Sequence, residues 1–178
     1  MDRTADALRD KDVAAETLDG KILVGDFDVF LSYNSKDKAF VGSVARQLKE
    51  KGILPWMDDE QIRPGEQWQK ALERDLKRIK CAVVFVTANG IRPWQDQEIQ
   101  AFLQELSRRK RVVIPAVLPD KSEGNARQKR VRLPLFLKNM QWVDFRDEES
   151  RPLDRLIWGI TGVKSFGQNA MQVRRASR

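Results

Sequence analysis

The stretch CAVVFVT, residues 81–87, is apolar at every position but the last. A short continuous apolar run of this kind is typical of a strand that is covered on both faces. Cys81, which opens it, is the only cysteine in the chain. An internal disulfide is therefore excluded, which suits a reducing cytoplasm, and we expect a small buried side chain rather than a nucleophile. Burial on both faces requires helices on both sides of a sheet, so this stretch predicts an α/β fold.

Further segments on either side of residues 81–87 repeat the pattern. Short β-prone runs are predicted as strands at FDVFLS (27–32), ILPW (53–56), RVVIPAVL (111–118) and QWVDF (141–145). Helical patterns lie between and after them, at 36–52, 68–79, 94–109 and 151–162, and Ser35 is the predicted cap of the first. Because strands alternate with helices and no hairpin signal joins neighbouring strands, we expect a five-stranded parallel sheet with helices on both faces.

Sheets of this type bind ligands in the crevice beyond the carboxyl ends of their strands. The loops predicted at that edge are 33–35, 57–67, 88–93 and 119–133. Glu98 follows the third of these loops, within the first turns of its predicted helix. On spacing alone, Glu98 is an ordinary first-turn glutamate that is favoured by the helix dipole.

The composition restricts the possible chemistry. The chain has no histidine and one cysteine. These counts exclude histidine-dependent triads, histidine metal ligands and thiolate metal clusters, so catalysis must use carboxylates, hydroxyls, Lys, Arg or backbone amides. Asp58 and Asp59 resemble a metal cluster only superficially, and we predict no metal site. The chain also lacks a membrane-spanning run and a secretory signal, and we expect a cytoplasmic protein without membrane partners.

Charge and polarity suggest how the chain is organised. Residues 1–25 are polar with a weak apolar face, and we expect an N-terminal linker or flexible segment. We expect one domain over 26–162 and a basic C-terminal tail over 163–178. The net charge of +7, concentrated in 108–132 and the tail, favours anionic partners. Nucleic acid is a weak candidate because no aromatic residues are interleaved with these charges.

Several segments together resemble one family. FDVFLSY, GILPWMDDEQIRPGEQWQKAL and AVVFVTANGIRPWQDQEIQAFL are similar, in order, to the first three strand regions of a Toll/interleukin-1 receptor (TIR) domain. RVVIPAVLP and QWVDF resemble its fourth and fifth strands. The resemblance spans roughly 26–162 and is closest in style to bacterial TIR domains, which commonly adjoin sensor or repeat modules. It implies a flavodoxin-like three-layer sandwich with a five-stranded parallel sheet.

The resemblance also implies an activity. Catalytic TIR domains cleave NAD⁺ at the nicotinamide–ribose bond and carry a glutamate four residues after an aromatic residue, which here are Glu98 and Trp94. It implies NAD⁺ as a substrate, with no cofactor, and ADP-ribose or a cyclic isomer as the product. It further implies activation by self-association of TIR domains and a part in bacterial antiviral defence. The alternative is a non-enzymatic adaptor that acts through TIR–TIR contacts.

A single carboxylate is chemically sufficient for this reaction. Glycoside hydrolases generally need a second carboxyl to protonate the leaving group. The nicotinamide of NAD⁺ is already a cation and departs as a neutral base. One carboxylate near the ribose can stabilise the developing positive charge.

The resemblance places a further set of residues around the NAD⁺: Ser32, Tyr33, Asn34, Arg63, Gly65, Trp68 and Trp94. Trp68 is equally well explained as a core residue beside Leu72, and Tyr33 as a wall of the loop after the second strand. Arg63 can pair with pyrophosphate, contact a neighbouring TIR domain or be solvated. A phosphoacceptor receiver has a similar fold, but this chain has Thr87 where a receiver has aspartate.

Overall fold

The protein is represented by a computed structural model that describes residues 3–87, 97–119 and 137–164. Within these ranges, the side chains of residues 3–8, 69 and 97–100 are left out of the description. Among the described residues, no helix is both long enough and apolar enough to span a bilayer.

The strands form one parallel sheet. In chain order they are β1 (Val29–Ser32), β2 (Pro55–Trp56), β3 (Cys81–Val86), β4 (Val113–Val117) and β5 (Val143–Asp144). Their order across the sheet is β2-β1-β3-β4-β5, and every neighbouring pair is parallel. The predicted five-stranded parallel sheet is confirmed, and each observed strand is shorter than the segment that was predicted as a strand.

The helices lie between the strands as predicted, with two additions. They are α1 (Arg3–Val24), α2 (Lys38–Lys49), α3 (Asp58–Gln61), α4 (Trp68–Asp75), α5 (Gln97–Arg108) and α6 (Pro152–Thr161). Short 3-10 turns occupy Ser35–Asp37 and Glu148–Ser150. The predicted Ser35 cap is wrong: the Asn34 side chain caps the 3-10 turn by accepting a hydrogen bond from the Lys36 amide at 3.0 Å, and Asp37 precedes α2 without a side-chain cap.

Two apolar cores explain why the central strand is apolar throughout. Val84 and Val86 of β3 belong to a core that includes Leu103 of α5. Val83 and Phe85 point into a second core, which includes Leu156 of α6. Successive strand residues face opposite sides, so a sheet between two helical layers must be apolar at every position.

Cys81 is buried at the start of β3, as the sequence predicted. Burial, reinforced by the negative charge of Asp28, raises the pKa of the Cys81 thiol to about 12. The thiol is therefore protonated at physiological pH and is an inert part of the core.

The N-terminal segment differs from the linker that the sequence suggested, since Arg3–Val24 forms helix α1. Leu18 packs partly buried against the core that α5 also contacts. Near the end of α1, the Lys21 ammonium donates hydrogen bonds to the Asp28 carboxylate at 2.5 Å and to the Gly52 carbonyl at 2.8 Å. α1 is thus held by the packing of Leu18 and by the charge of Lys21, and an apolar-periodicity search does not detect the second of these.

Candidate active site

The candidate site lies at the carboxyl edge of the sheet. β1 pairs with β2 on one side and with β3 on the other. The chain leaves β1 towards β2 and later returns to β3 on the opposite side, so the connections diverge above β1. In open parallel sheets this divergence opens a crevice in which ligands bind.

Glu98 is the second residue of α5, the helix that follows β3. One turn later, the buried Phe102 packs edge-on against Phe30 of β1, with ring centroids 4.9 Å apart. This contact fixes the start of α5 beside the β1–β3 junction. The Glu98 side chain and the whole of Trp94 lie outside the described part of the chain, so their roles stay predictions.

Three predicted ligand residues follow one another at the end of β1. Ser32 is buried with a relative exposure of 4%. The half-buried Tyr33 hydroxyl donates to Asp58 Oδ1 of α3 at 2.7 Å, with Asp59 Oδ1 at 3.5 Å. Burial, followed by these carboxylates, raises the pKa of Tyr33 far above its ordinary value, so the phenol stays neutral. Tyr33 therefore joins β1 to the loop after β2, in line with its alternative interpretation as a wall of that loop.

The loop after β2 carries Arg63 and Gly65, both exposed. Gly65 adopts a φ of +87°, which glycine tolerates better than any other residue. Nothing lies within 4 Å of the position that a Cβ there would occupy. At this position the need for glycine comes from the backbone turn rather than from crowding.

Sequence reasoning missed the support behind this loop. The Arg74 guanidinium of α4 donates to Glu66 at 2.5 Å and to Asp75 at 2.9 Å. The buried Asp75 also accepts from the Trp56 indole at 2.9 Å. Glu66 in turn accepts from the Arg63 amide at 3.2 Å. Hydrogen bonds through Glu66, Arg74 and Asp75 therefore connect the loop to the core, and no sequence motif predicts them.

Trp68, the first residue of α4, is half-buried and packs against the core beneath α4 and α5. Its interpretation as a core residue is therefore supported by a direct contact. At the carboxyl edge, the structure brings together Ser32, Tyr33 and the α3 carboxylates. No group of candidate metal ligands occurs among the described residues.

A family model described as "TIR domain" matches residues 29–157. The chain belongs to the TIR domain family. The match includes all five strands and the start of α5, so Glu98 lies inside the family's own boundaries. It also agrees with the resemblance predicted from the strand regions.

Curated relatives of this TIR domain are named for NAD⁺ chemistry. NAD(+) hydrolase PdTIR of Paracoccus denitrificans is 29% identical over 89 residues, covering 48% of this chain and 30% of that protein. The probable 2′ cyclic ADP-D-ribose synthase TcpO of Methanobrevibacter olleyae is 31% identical over 75 residues, covering 41% of this chain and 22% of that protein. NAD(+) hydrolase TcpA of a Theionarchaea archaeon is 24% identical over 92 residues, covering 51% of this chain and 28% of that protein. The matches thus span less than a third of each of these relatives.

Solved structures share the fold. The TIR domain of the Toll-related receptor TRR-2 from Hydra magnipapillata superposes with a TM-score of 0.56 at 19% identity, covering 75% of this chain and 98% of that one. The TIR domains of the activated Roq1 resistosome give a TM-score of 0.53 at 23% identity, covering 75% and 99%. These likenesses establish the architecture alone.

Proposed function

We propose that this TIR domain is an NAD⁺ nucleosidase and that Glu98 is its catalytic residue. The observation that carries the proposal is that Glu98 lies in the first turn of α5, the helix that follows β3, one turn before the Phe102 ring that packs on Phe30 of β1. The printed names of the curated relatives, two NAD⁺ hydrolases and a cyclic ADP-ribose synthase, support the same chemistry.

The reaction breaks the bond between ribose C1′ and the nicotinamide nitrogen. The bonding electron pair leaves with nicotinamide, which becomes neutral, and positive charge develops on the ribosyl carbon. The Glu98 carboxylate stabilises that charge more strongly in the transition state than in the ground state, which is the requirement for acceleration. Water then adds to C1′ and releases a proton, giving ADP-ribose. If a group of the ADP-ribose itself adds instead, a cyclic isomer forms.

The proposal assigns distinct roles to the other predicted residues. Ser32, Tyr33 and Asn34 line the floor of the crevice at the end of β1. Trp68 and Trp94 flank the nicotinamide, and Arg63 meets the pyrophosphate from the loop that turns at Gly65. NAD⁺ is a substrate and no further cofactor takes part.

Assembly and biological role belong to the same proposal. The loop over 57–67 is exposed beside the crevice, where a second TIR domain can complete the pocket. Activity then rises with self-association, which a sensor or repeat module elsewhere in the full-length protein can impose. Bacterial antiviral defence signalling in the cytoplasm is the proposed setting.

The test incubates the protein at high concentration with NAD⁺ and measures released nicotinamide by chromatography. Glu98→Gln is expected to lower kcat by at least about 100-fold, the effect of losing one preorganised charge-stabilising group. Glu105→Gln is the matched control, because it removes a carboxylate from the same helix, where Glu105 pairs with Arg109 at 2.9 Å on the surface. The control should retain activity.

Equal activity of Glu98→Gln and the wild type would remove Glu98 from the mechanism. If no nicotinamide is released at any concentration or in any assembly state, the proposed activity is wrong and the adaptor function gains support. A linear dependence of the rate on protein concentration, with no cooperative rise, would contradict activation by self-association.

A further inference from the structure

A second cavity lies at the opposite, amino edge of the sheet. It has a volume of about 450 Å³ and is bounded by the starts of β4 and β5 and by α6. This volume falls within the roughly 300–1,000 Å³ range of small-molecule sites. The cavity is separated from the predicted catalytic edge by the length of the strands, so it is independent of the proposed function.

Two exposed indoles line this cavity. Trp142 precedes β5 and is 40% exposed, and Trp158 lies on α6 and is 42% exposed. Within the described ranges, neither ring stacks on another aromatic ring. The Lys164 ammonium lies over the Trp158 ring, 4.8 Å from its centroid. Large indole surfaces left accessible in a concave site provide stacking surfaces for a planar ligand.

The charges around the cavity have one sign. Arg111 and Arg155 line it, and no acidic side chain is among its described lining residues. The Arg111 guanidinium is held in place by hydrogen bonds to the Leu76 and Lys77 carbonyls, both at 2.9 Å. A second groove adjoins the cavity and is lined in part by Arg155, Trp158 and Lys164. The Asp154 carboxylate in this groove forms an ion pair with the Arg151 guanidinium at 2.5 Å. The cavity therefore attracts an anion.

The floor of the cavity is shaped by the close approach of α6 to β4. A Cβ built on Gly159 would lie 2.7 Å from Ile114 Cδ1, so a larger residue there would have to displace the Ile114 side chain. Glycine allows the Trp158 segment to approach the start of β4 closely. The shape of the cavity depends on this contact.

We propose that this cavity binds a free nucleotide, with the base stacked on the Trp142 and Trp158 indoles and the phosphates facing Arg155 and Lys164. Planar aromatic surfaces next to the Arg155 and Lys164 cations, with the neighbouring Asp154 carboxylate paired to Arg151, match the two halves of such a ligand. A cavity of about 450 Å³ has room for one nucleotide, which favours a free nucleotide over a nucleic-acid strand.

The experiment titrates the full chain with ADP and follows the indole Nε1–H signals by ¹H–¹⁵N NMR, each assigned from a Trp→Phe variant. Signals of Trp142 and Trp158 should shift in a saturable manner. The buried Trp56 signal, whose indole is hydrogen-bonded to Asp75, should stay in place as an internal reference. Binding confined to the catalytic edge would instead move Trp68 or Trp94, leave Trp142 and Trp158 unchanged, and overturn the proposal.

Variants give the second measurement. Trp158→Ala and Trp142→Ala are each expected to weaken ADP binding about tenfold, a typical effect of losing one stacking surface. Arg155→Gln should weaken it about fivefold and reduce its salt dependence. Arg108→Gln removes an equivalent charge from an exposed position on α5 and should leave binding unchanged.

Two outcomes would refute the proposal. One is unaltered ADP affinity in a Trp142→Ala/Trp158→Ala double variant that retains the wild-type near-ultraviolet circular dichroism of its buried aromatics. The other is a single-stranded oligonucleotide that displaces ADP and binds more tightly than any mononucleotide, which would make the cavity part of a nucleic-acid surface.

Discussion

The two edges of the sheet use charged hydrogen bonds in different ways. At the amino edge, the Asp28 carboxylate accepts from Lys21 at 2.5 Å, from the Leu54 amide at 2.8 Å and from Lys80 at 3.0 Å, and its side chain is only 12% exposed. At the carboxyl edge, Tyr33 donates to the α3 carboxylates, and the nearby Lys38–Asp59 ion pair at 3.0 Å is 58% and 38% exposed.

The comparison shows that the same residue types stabilise the fold to different degrees at the two edges, according to their burial. Burial raises the pKa of Asp28, but hydrogen bonds from Lys21, Leu54 and Lys80 outweigh it and hold the pKa below its ordinary value. The amino-edge network therefore stabilises the fold. At the carboxyl edge, the exposed Lys38–Asp59 ion pair contributes little to stability, and the loop after β2 is held instead by the Tyr33 and Arg74 hydrogen bonds.

The largest effect on stability is expected at the amino edge. Asp28→Asn should lower the free energy of unfolding by about 2 kcal/mol, because it removes a nearly buried charge from two ammonium groups and weakens their hydrogen bonds. Urea denaturation measures the change. Asp26→Asn is the control, because Asp26 is an exposed partner of Lys80. This substitution should lower the free energy of unfolding by less than about 0.5 kcal/mol. Equal losses in the two variants would contradict the difference between buried and exposed charge.

The contribution of Asp28 to stability should also depend on pH. A carboxyl whose folded-state pKa is lowered binds fewer protons in the folded than in the unfolded protein, so its contribution is present above the unfolded pKa of about 3.9. That contribution is lost as the pH falls through the folded pKa. The stability gap between the wild type and Asp28→Asn should therefore be constant from pH 7 to about pH 5 and shrink below about pH 4. A gap that widens on acidification would show that Asp28 is not the charged acceptor.

A smaller effect is expected at the carboxyl edge. Tyr33→Phe removes one half-buried hydrogen bond and should lower the free energy of unfolding by about 1 kcal/mol. It should also speed proteolytic cleavage between residues 57 and 67, because α3 loses its tie to β1. Lys38→Gln is the matched control and should leave both measurements unchanged, since its ion pair is exposed. A faster cleavage in Lys38→Gln than in Tyr33→Phe would assign the loop's order to the ion pair instead.

Much of the architecture was predictable because it depends on local patterns. The apolar residues 81–87 predicted a strand with two buried faces, and the alternation of strands and helices predicted the parallel sheet. The docking of α1 was missed because it depends in part on Lys21, a single charge that hydrophobic periodicity does not include. The Trp56–Asp75–Arg74–Glu66 chain was missed because its members are brought together only by the packing of α4 against β2.

The sequence also predicted which edge of the sheet carries the candidate residues. Since parallel strands share one carboxyl edge, the order of segments alone brings Ser32, Tyr33 and the start of α5 to one crevice. The partner of Tyr33 was not predictable, because Asp58 lies in a segment read as loop, and only the folded chain forms α3 there. The catalytic role of Glu98 and the roles of Arg63, Gly65 and Trp94 stay predictions.

The sequence by itself determined the layers, the parallel sheet and the edge at which the candidate residues lie, because burial periodicity and segment order are local properties of the chain. Only the tertiary structure decided the partners of Asp28, Tyr33 and Arg74 and placed Trp142 and Trp158 around one cavity. Apart from the neighbours Arg74 and Asp75, these groupings join residues that are separated along the chain, and their energies depend on burial and distance, which exist only once the helices have packed onto the sheet.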